Sequence, residues 1–320
     1  MGGASVRHAR WRVGRLAGLP DRVRSLTPSA LFSGPWTAAL LLAPFLILIF
    51  VFFYLPVFNA FYWSFFLEPP FGGPKSFVGW DNFARVLADP SFWDSLGKTL
   101  IFMAVGSSMA VGVPLVLALA ADRKIRLSGP ARNILVWPKA VAGASIGVVF
   151  NFIFNPFVGL LAPLNRLFPG LWNPGSDGVD AFIMLLVAHV WSGIPFNFVV
   201  LLAGLLAIPA PLMHAAAMDG AGPWRRIFDI QLPMLTPQIF LTLVLEFTDS
   251  VVSAFSLVDT MTKGGPGGAT SLLVYRIYVA GFVGFDLSSA ATQTVLLIIF
   301  MLIVSAFYFL YLERRVQYER

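Results

Sequence analysis

The sequence contains no cysteine and few charged residues. Without cysteine the 320-residue chain can form neither a disulfide framework nor a thiolate metal site. Its three histidines, His8, His189 and His214, are too far apart along the chain to suggest a metal cluster. Charged residues make up 12% of the chain, against about 25% in soluble domains. Because 58% of the residues are hydrophobic and the mean hydropathy is +0.79, the composition indicates a membrane protein.

No sequence motif indicates an enzyme. The chain has no GxxxxGK[ST] phosphate-binding loop, no metal-ligand cluster and no nucleophile elbow. Any ATP-driven process would therefore need a separate ATPase chain to bind ATP and magnesium, and no cofactor is expected in this chain. The net charge of +6 does not indicate a nucleic-acid partner, because the basic residues form short clusters between long apolar runs. That pattern is typical of a membrane protein with basic cytoplasmic loops.

Six apolar runs are long enough to cross a lipid bilayer, whose hydrocarbon core of about 30 Å needs roughly 20 residues of helix. The runs lie at Trp36–Phe58, Thr99–Ala121, Ile134–Phe154, Ala181–Leu206, Pro237–Leu257 and Ala291–Leu312. The first run has an alternative end at Phe66. No strand-like alternation of apolar and polar residues competes with these runs. The sequence therefore predicts an all-α polytopic membrane protein with six transmembrane helices.

The distribution of basic residues predicts the orientation, because cytoplasmic loops carry an excess of Lys and Arg. The two termini and the loops 122–133 and 207–236 together hold 15 basic residues, whereas the loops on the other side hold six. We therefore expect both termini in the cytoplasm, with residues 1–33 as a basic tail and residues 34–320 as the transmembrane domain. The apolar run after the tail is too long for a cleaved secretory signal, and an organellar transit peptide is the less favoured alternative.

The loop at about 208–236 is predicted to form two short helices with a break between them. Leu212–Met218 is rich in alanine and favours a helix. Asp219–Gly220 favours a turn, Pro223 suits the first position of a second helix, and Leu232–Pro233 is expected to stop that helix. Ala215–Ala217 leaves one face almost without side chains, so another protein could approach the backbone closely. We infer a lever held by a partner protein, with an ordinary amphipathic connector as the alternative.

This loop resembles the EAA loop of the permease subunits of type I ABC importers, which reads Glu-Ala-Ala, two residues, Asp-Gly-Ala and later Leu-Pro. The resemblance implies an ATPase-coupling role for the residues that match the motif or lie within it: His214, Ala215, Ala216, Asp219, Gly220, Ala221, Gly222, Leu232 and Pro233. His214 stands where the family has a glutamate that helps to hold the helix against the ATPase. A histidine at this position implies a contact that is weaker, sensitive to pH or differently paired.

The resemblance extends over nearly the whole chain and indicates the carbohydrate-importer permeases. Its other supporting segments include Pro70–Gly72, Phe77–Phe83, Phe154–Pro156, Gly264–Pro266, Ile277–Tyr278 and Tyr311–Glu313. Within that family the chain resembles above all the permeases of glycerol 3-phosphate importers. This implies a MetI-like transmembrane fold, a bacterial inner-membrane location and a cargo of sn-glycerol 3-phosphate or a related glycerophosphodiester. Another sugar or polyol is the alternative cargo.

The same resemblance implies a set of partners in the membrane and on both sides of it. Such permeases pair with a second homologous permease, bind two ATPase subunits on the cytoplasmic side and receive cargo from an extracytoplasmic solute-binding protein. The rival hypothesis is a proton-coupled secondary carrier that uses Glu246 and Asp249. We find no clear internal repeat of the kind common in such carriers, and a carrier would leave the 212–233 loop without an explanation.

Polar residues inside the spans are candidates for the substrate path, because a charged side chain there costs about 2.5–3.5 kcal/mol on insertion scales. Glu246 and Asp249 are three residues apart and are expected to share a helix face. The neutral candidates are Ser250, Asn151, Asn155 and Asn197. Each could instead bond a neighbouring helix. Two pore-facing carboxylates would repel glycerol 3-phosphate, so they face elsewhere, one is protonated, or the cargo is a neutral or zwitterionic polyol compound.

Overall fold

The structure is a computed structural model that describes residues 35–69, 73–123 and 143–312. The predicted basic tail at 1–33, most of the basic loop at 122–133 and the basic residues after 312 lie outside the described residues. The cytoplasmic location of both termini therefore stays a prediction. Two compact units are present, residues 1–59 and 60–320.

Helices account for most of the described chain, as expected where lipid leaves the backbone no water to bond. They are α1 (Pro35–Ile49), α2 (Leu55–Ser64), α3 (Asp81–Ala88), α4 (Pro90–Arg123), α5 (Gly143–Ile153), α6 (Ala162–Leu167), α7 (Gly178–Ala207), α8 (Ala210–Met218), α9 (Pro223–Arg226), α10 (Leu232–Met234), α11 (Thr236–Met261), α12 (Leu273–Tyr278) and α13 (Leu287–Leu312). Turns of π-helix occur at Phe50–Tyr54, Ile227–Gln231 and Val279–Val283. Strands β1 (Phe66–Leu67) and β2 (Ser76–Phe77) pair antiparallel, with Phe66 opposite Phe77.

Five helical segments within the described residues are long and apolar enough to cross a membrane. They are Ala38–Ser64, Pro90–Asp122, Gly178–Ala207, Thr236–Met261 and Leu287–Leu310. These segments confirm the first, second, fourth, fifth and sixth predicted spans. The first span ends near the alternative boundary at Phe66. Of the third predicted span the structure describes only the second half, as helix α5, because residues 124–142 lie outside the described part.

In the first unit the described chain is helical and exposes its large apolar side chains, among them Phe45, Phe52 and Phe53. Such exposure fits a helix whose surface meets lipid. In the second unit the main core joins α4, α5, α7 and α11. It is built around Phe102, Phe150, Leu185 and Val258, which are all buried.

Close packing between α5 and α11 depends on two glycines. Gly143 and Gly147 form a GxxxG pair, which predicts a close approach of two helices. A Cβ atom added at Gly147 would lie 1.8 Å from Oγ1 of Thr260, and one added at Gly143 would lie 2.8 Å from Oγ of Ser256. The prediction is confirmed, because no larger residue fits at Gly147 without moving α11.

Candidate coupling segment and substrate path

Helix α8 ends in a Schellman motif at the predicted turn. Asp219 is the C-cap, and Gly220 follows it with a φ of +78° in the left-handed region. The N–H of Gly220 donates to the carbonyl of Ala217 at 3.2 Å, and the N–H of Ala221 donates to the carbonyl of Ala216 at 2.9 Å. These two bonds satisfy carbonyls that the helix leaves unpaired, and glycine adopts the required φ without strain. The predicted helix and break are confirmed.

The second half of the segment does not stop where the sequence suggested. Pro223 lies in the first turn of α9, as predicted, and Gly222 precedes it in an extended conformation. Leu232–Pro233 was expected to end this helix, but the chain stays helical through a π turn and α10, and Leu235 donates to the carbonyl of Gln231 at 2.9 Å. The stop prediction is wrong for a physical reason. A π turn shifts the bonding register from i−5 back to i−4 at its exit, so a residue without N–H is tolerated there.

The segment presents an exposed surface rich in small and apolar side chains. Helix α8 has no buried residue; His214 and Ala215 are exposed and Ala216 is half-buried. Large apolar side chains surround these small ones: Met218 is 88% exposed and Trp224 70% exposed, with Leu212 and Phe228 also exposed. An exposed apolar surface of this kind is typical of a protein-binding site.

The end of the segment is tied firmly to the transmembrane helices. Gln231 is only 5% exposed, and its Nε2 donates to Oδ2 of Asp122 at the end of α4, at 3.0 Å. Leu235 is fully buried in a second core cluster, which contains Val111 of α4 and Leu201 of α7. A displacement of the exposed half would therefore be transmitted to α4 and α7.

A closed polar cluster lies between α4, α7 and α11. Nδ2 of Asn197 donates to Oε1 of Glu246 at 2.7 Å and to the carbonyl of Ala110 at 2.8 Å. Nε2 of His189 lies 3.7 Å from Oε2 of Glu246, and Nδ1 of His189 lies 3.3 Å from Oγ of Ser253. His189 and Asn197 are fully buried and Glu246 is 4% exposed. In this conformation the cluster bonds three helices to one another.

The predicted substrate-path residues fall in three different places. Glu246 and Asp249 do not share one environment, because Glu246 is buried while Asp249 is exposed. Residues three apart on a helix differ by about 60° in direction, and the edge of the buried face runs between these two. Ser250 is buried and donates to the carbonyl of Phe247 in its own helix, at 2.8 Å. The two carboxylates are neighbours on α11 but differ in burial, and their role in the substrate path stays a prediction.

Asn151 and Asn155 lie apart from that cluster, at the end of α5 and in the turn after it. Oδ1 of Asn155 accepts the N–H groups of Phe157 and Val158, at 2.9 and 3.3 Å. Both asparagines line one cavity of about 350 Å³. Within the described residues no group of His, Asp and Glu side chains is arranged to hold a metal ion.

Comparison with known proteins places the chain in a transport family. Residues 90–318 match the family described as "Binding-protein-dependent transport system inner membrane component". The chain belongs to this family. It is therefore a membrane transport component rather than an enzyme, as the sequence predicted.

Relatives and solved structures agree with this assignment. The chain is 41% identical over 279 residues to the "sn-glycerol-3-phosphate transport system permease protein UgpA" of Rhizobium meliloti (strain 1021), covering 87% of this chain and 95% of that protein. It is 39% identical to the protein of the same name from Agrobacterium fabrum, covering 91% and 99%. A bacterial ABC transporter involved in the import of alginate shares the fold, with a TM-score of 0.76 at 19% identity over 90% of this chain and 99% of that one. The MetI-like permease fold is confirmed, and the five described spans with helix α5 are consistent with six.

Two features of the permease were missed from the sequence. The bond between Gln231 and Asp122 joins residues 109 positions apart, and no local pattern predicts it. The polar cluster adds His189 as a partner of Glu246, the residue to which Asn197 donates. The only sign of this cluster in the sequence is that His189, Asn197 and Glu246 are polar residues within apolar runs.

Proposed function

We propose that this permease forms half of the translocation pathway of an ATP-driven importer for sn-glycerol 3-phosphate or a related glycerophosphodiester. The observation that carries the proposal is the identity of about 40% to UgpA permeases over nearly their whole length. The cargo of those relatives is a phosphorylated polyol by name. Another sugar or polyol of the same transport class is the alternative.

The segment 208–236 is proposed as the surface that the ATPase holds. Its small side chains at Ala215 and Ala216 permit close approach, and the exposed apolar side chains around them supply area that a partner would bury. Asp219, Gly220, Ala221 and Gly222 set the bend between its two halves, while Leu232 and Pro233 continue into the buried anchor. His214 is exposed on the same helix and would contact the ATPase directly.

The proposed assembly contains a second homologous permease, two ATPase subunits and an extracytoplasmic solute-binding protein. The alginate transporter of the same fold is described in complex with a pentasaccharide-bound periplasmic protein, which supports a solute-binding partner here. ATP and magnesium would be bound by the ATPase chains. Both termini and the 208–236 segment would face the cytoplasm of a bacterial cell, in agreement with the excess of basic residues on that side.

The position of Glu246 removes one of the two carboxylates that were expected to repel an anionic cargo, while Asp249 is exposed. A carboxylate that faced the pore would repel a phosphate group. Glu246 is instead enclosed by helices, with Asn197 donating to it. We therefore assign Glu246, Asn197 and Ser250 to bonds within the helix bundle rather than to direct cargo contact in this conformation.

Co-purification from cells that express the whole transporter tests the assembly. A tagged wild-type permease is expected to bring down an ATPase and a second permease. Asp219→Arg is expected to release the ATPase, because it places a large cation on the small-faced surface, whereas Asp81→Arg changes an exposed carboxylate far from that loop in sequence and serves as the control. Recovery of the permease alone, together with normal uptake in both variants, would contradict the proposal.

A further inference from the structure

Two adjoining cavities flank the chain between α5 and α7. One has a volume of about 440 Å³ and the other about 350 Å³, and both are lined by Pro156, Phe157 and Asn173. The two adjoining cavities are together called the outer groove below, because the predicted orientation places them on the extracytoplasmic side. Its polar lining consists of Asn151, Asn155, Asn165, Arg166, Asn173 and Thr262. Volumes of this size are typical of small-molecule sites.

The wall of the outer groove is held in place by specific bonds. Trp172 is buried in the main core, and its Nε1 donates to the carbonyl of Phe154 at 2.8 Å. Oδ1 of Asn165 accepts the N–H of Trp172 at 3.2 Å. A Cβ atom at Gly159 would lie 2.2 Å from the carbonyl oxygen of Ile153, so the turn after α5 requires glycine. The groove is therefore preformed, which lowers the entropic cost of binding a ligand.

Three polar side chains of the groove retain unused hydrogen-bonding capacity. The oxygens of Asn155 and Asn165 are occupied by backbone N–H groups. Within the described part of the chain, Arg166 forms no ion pair, and the side chains of Asn151 and Asn173 form no hydrogen bond. A guanidinium matches the oxygens of a phosphate group, and amides match hydroxyls both as donors and as acceptors.

The charge of the outer groove also suits an anion. None of the described residues that line it is an Asp or a Glu. The carboxylate of Asp180 lies nearby in the fold, but it accepts the backbone N–H of Asn173 at 2.7 Å and is not part of the lining. Arg166 is exposed, so its cation is accessible from the groove mouth.

A second basic cavity, of about 630 Å³, is less suited to bind an anion. It is lined by Lys263 and Arg276 among others. The guanidinium of Arg276 is already engaged, because Nη2 bonds Asp89 and Nε donates to Oε1 of Gln293 at 3.0 Å. Among the residues that the structure describes, Arg166 has no such partner, and the outer groove is the better anion site for that reason.

We propose that the outer groove is the first site on the permease that receives the cargo, with Arg166 binding the phosphoryl group and Asn151 and Asn173 binding the glycerol hydroxyls. This inference rests on the proposed function, from which the phosphorylated polyol is taken. The site would hold the cargo after the solute-binding protein releases it and before the transmembrane path opens.

Reconstituted transport tests the role of Arg166. The complete transporter in proteoliposomes, supplied with saturating loaded binding protein, is expected to import glycerol 3-phosphate about tenfold more slowly after Arg166→Gln, the order expected for loss of one charge-assisted hydrogen bond. Arg166→Lys should restore part of the rate. Lys75→Gln is the matched control, because it removes an exposed cation from another loop on the same predicted side, and Lys75 lines neither the outer groove nor the basic cavity. Stimulation of ATP hydrolysis by the binding protein should stay near the wild-type value, since docking is not changed.

The absence of native cysteine permits a second, independent test. Thiol labelling of a Pro169→Cys variant, which keeps Arg166 and places the thiol in the lining of the groove, should be slowed by glycerol 3-phosphate and not by glycerol. In an Arg166→Cys variant, a reagent that attaches an ammonium group should restore uptake, whereas one that attaches a sulfonate should not. Wild-type permease treated in the same way controls for cysteines in the partner chains.

The possible outcomes separate the two proposals. If the wild-type transporter imports glycerol 3-phosphate and Arg166→Gln imports it equally fast, the outer groove is not the site and the proposed function stands. If the wild type imports a different solute, the proposed cargo is wrong. Labelling of Pro169→Cys then decides the groove by itself, because lack of protection by glycerol 3-phosphate while Arg166 is present would overturn the assignment of Arg166 to a phosphoryl group.

Discussion

The side-chain amide of Gln231 donates a 3.0 Å hydrogen bond to the carboxylate of Asp122 and so joins the 208–236 segment to the end of α4. Gln231 is almost completely buried, and Leu235, four residues later, is packed among α4 and α7. Helix α8, in contrast, has no buried residue. One half of the segment is therefore free to bind a partner, while the other half is fixed to the helices that a transport cycle must move.

Loss of this hydrogen bond should weaken coupling between ATP hydrolysis and transport. Asp122→Ala is expected to lower the number of cargo molecules imported per ATP several-fold, because a bond to a charged group contributes about 1.5–3 kcal/mol. Asp122→Asn keeps an oxygen acceptor and should stay close to wild type. Uptake and phosphate release, measured on the same proteoliposomes, give the number of cargo molecules imported per ATP hydrolysed. Equal ratios for Asp122→Ala and wild type would show that the bond transmits nothing.

The bend at Gly220 should be necessary for binding of the ATPase. Gly220→Val forces a β-branched residue into a φ of +78°, at a cost of about 1–3 kcal/mol, and should reduce the ATPase that co-purifies with the permease. Gly267→Val is the matched control, since Gly267 also has a positive φ and open space around its Cβ position, but lies in another loop. A similar loss of ATPase in both variants would indicate general damage rather than a defect of the bend.

Asp219–Gly220 could be predicted as the break because the Schellman motif depends only on local sequence. The failure at Leu232–Pro233 has its cause in the backbone: whether a proline ends a helix depends on the hydrogen-bond register before it, and the π turn at Ile227–Gln231 changes that register. The different burial of Glu246 and Asp249 could not be predicted either. Spacing places two residues on a helix, but the neighbouring helices α4 and α7 decide which of them is buried.

The outer groove could not be predicted from the sequence. Asn151, Arg166 and Asn173 are separated by loop residues without periodicity, and the bonds of Trp172 bring them to one groove. The apolar runs, in contrast, predicted the spans well, because a bilayer imposes a length on each helix whatever its neighbours are.

The polar cluster should stabilise the helix bundle. Glu246→Ala removes an acceptor from Asn197 and is expected to lower the free energy of unfolding by about 1–2 kcal/mol. Glu246→Gln can still accept through its amide oxygen and should cost less. Asp249→Ala changes an exposed carboxylate on the same helix and should leave stability nearly unchanged. Thermal unfolding of the purified permease in detergent checks this ranking of the variants by stability. A larger loss of stability for Asp249→Ala than for Glu246→Ala would contradict the ranking.

The bond between Asp89 and Arg276 should withstand mild acid. The backbone N–H of Ser91 and the guanidinium of Arg276 lower the pKa of Asp89 below its ordinary 3.8, against the opposing effect of burial. A lowered pKa in the folded state means that the stabilisation is present above pH 3.8 and is lost as the pH falls through the folded value. Asp89→Asn should therefore lower the unfolding temperature at neutral pH and differ less from wild type in strong acid. If the difference in unfolding temperature between Asp89→Asn and wild type disappeared already near neutral pH, it would contradict a lowered pKa of Asp89.

The most direct test of the account is uptake of labelled glycerol 3-phosphate by proteoliposomes that contain the permease with its second permease, ATPase and solute-binding protein. We predict uptake that requires ATP, the ATPase and the binding protein together. Uptake by this chain alone, driven by a proton gradient and abolished by Glu246→Gln, would contradict the account and favour a secondary carrier.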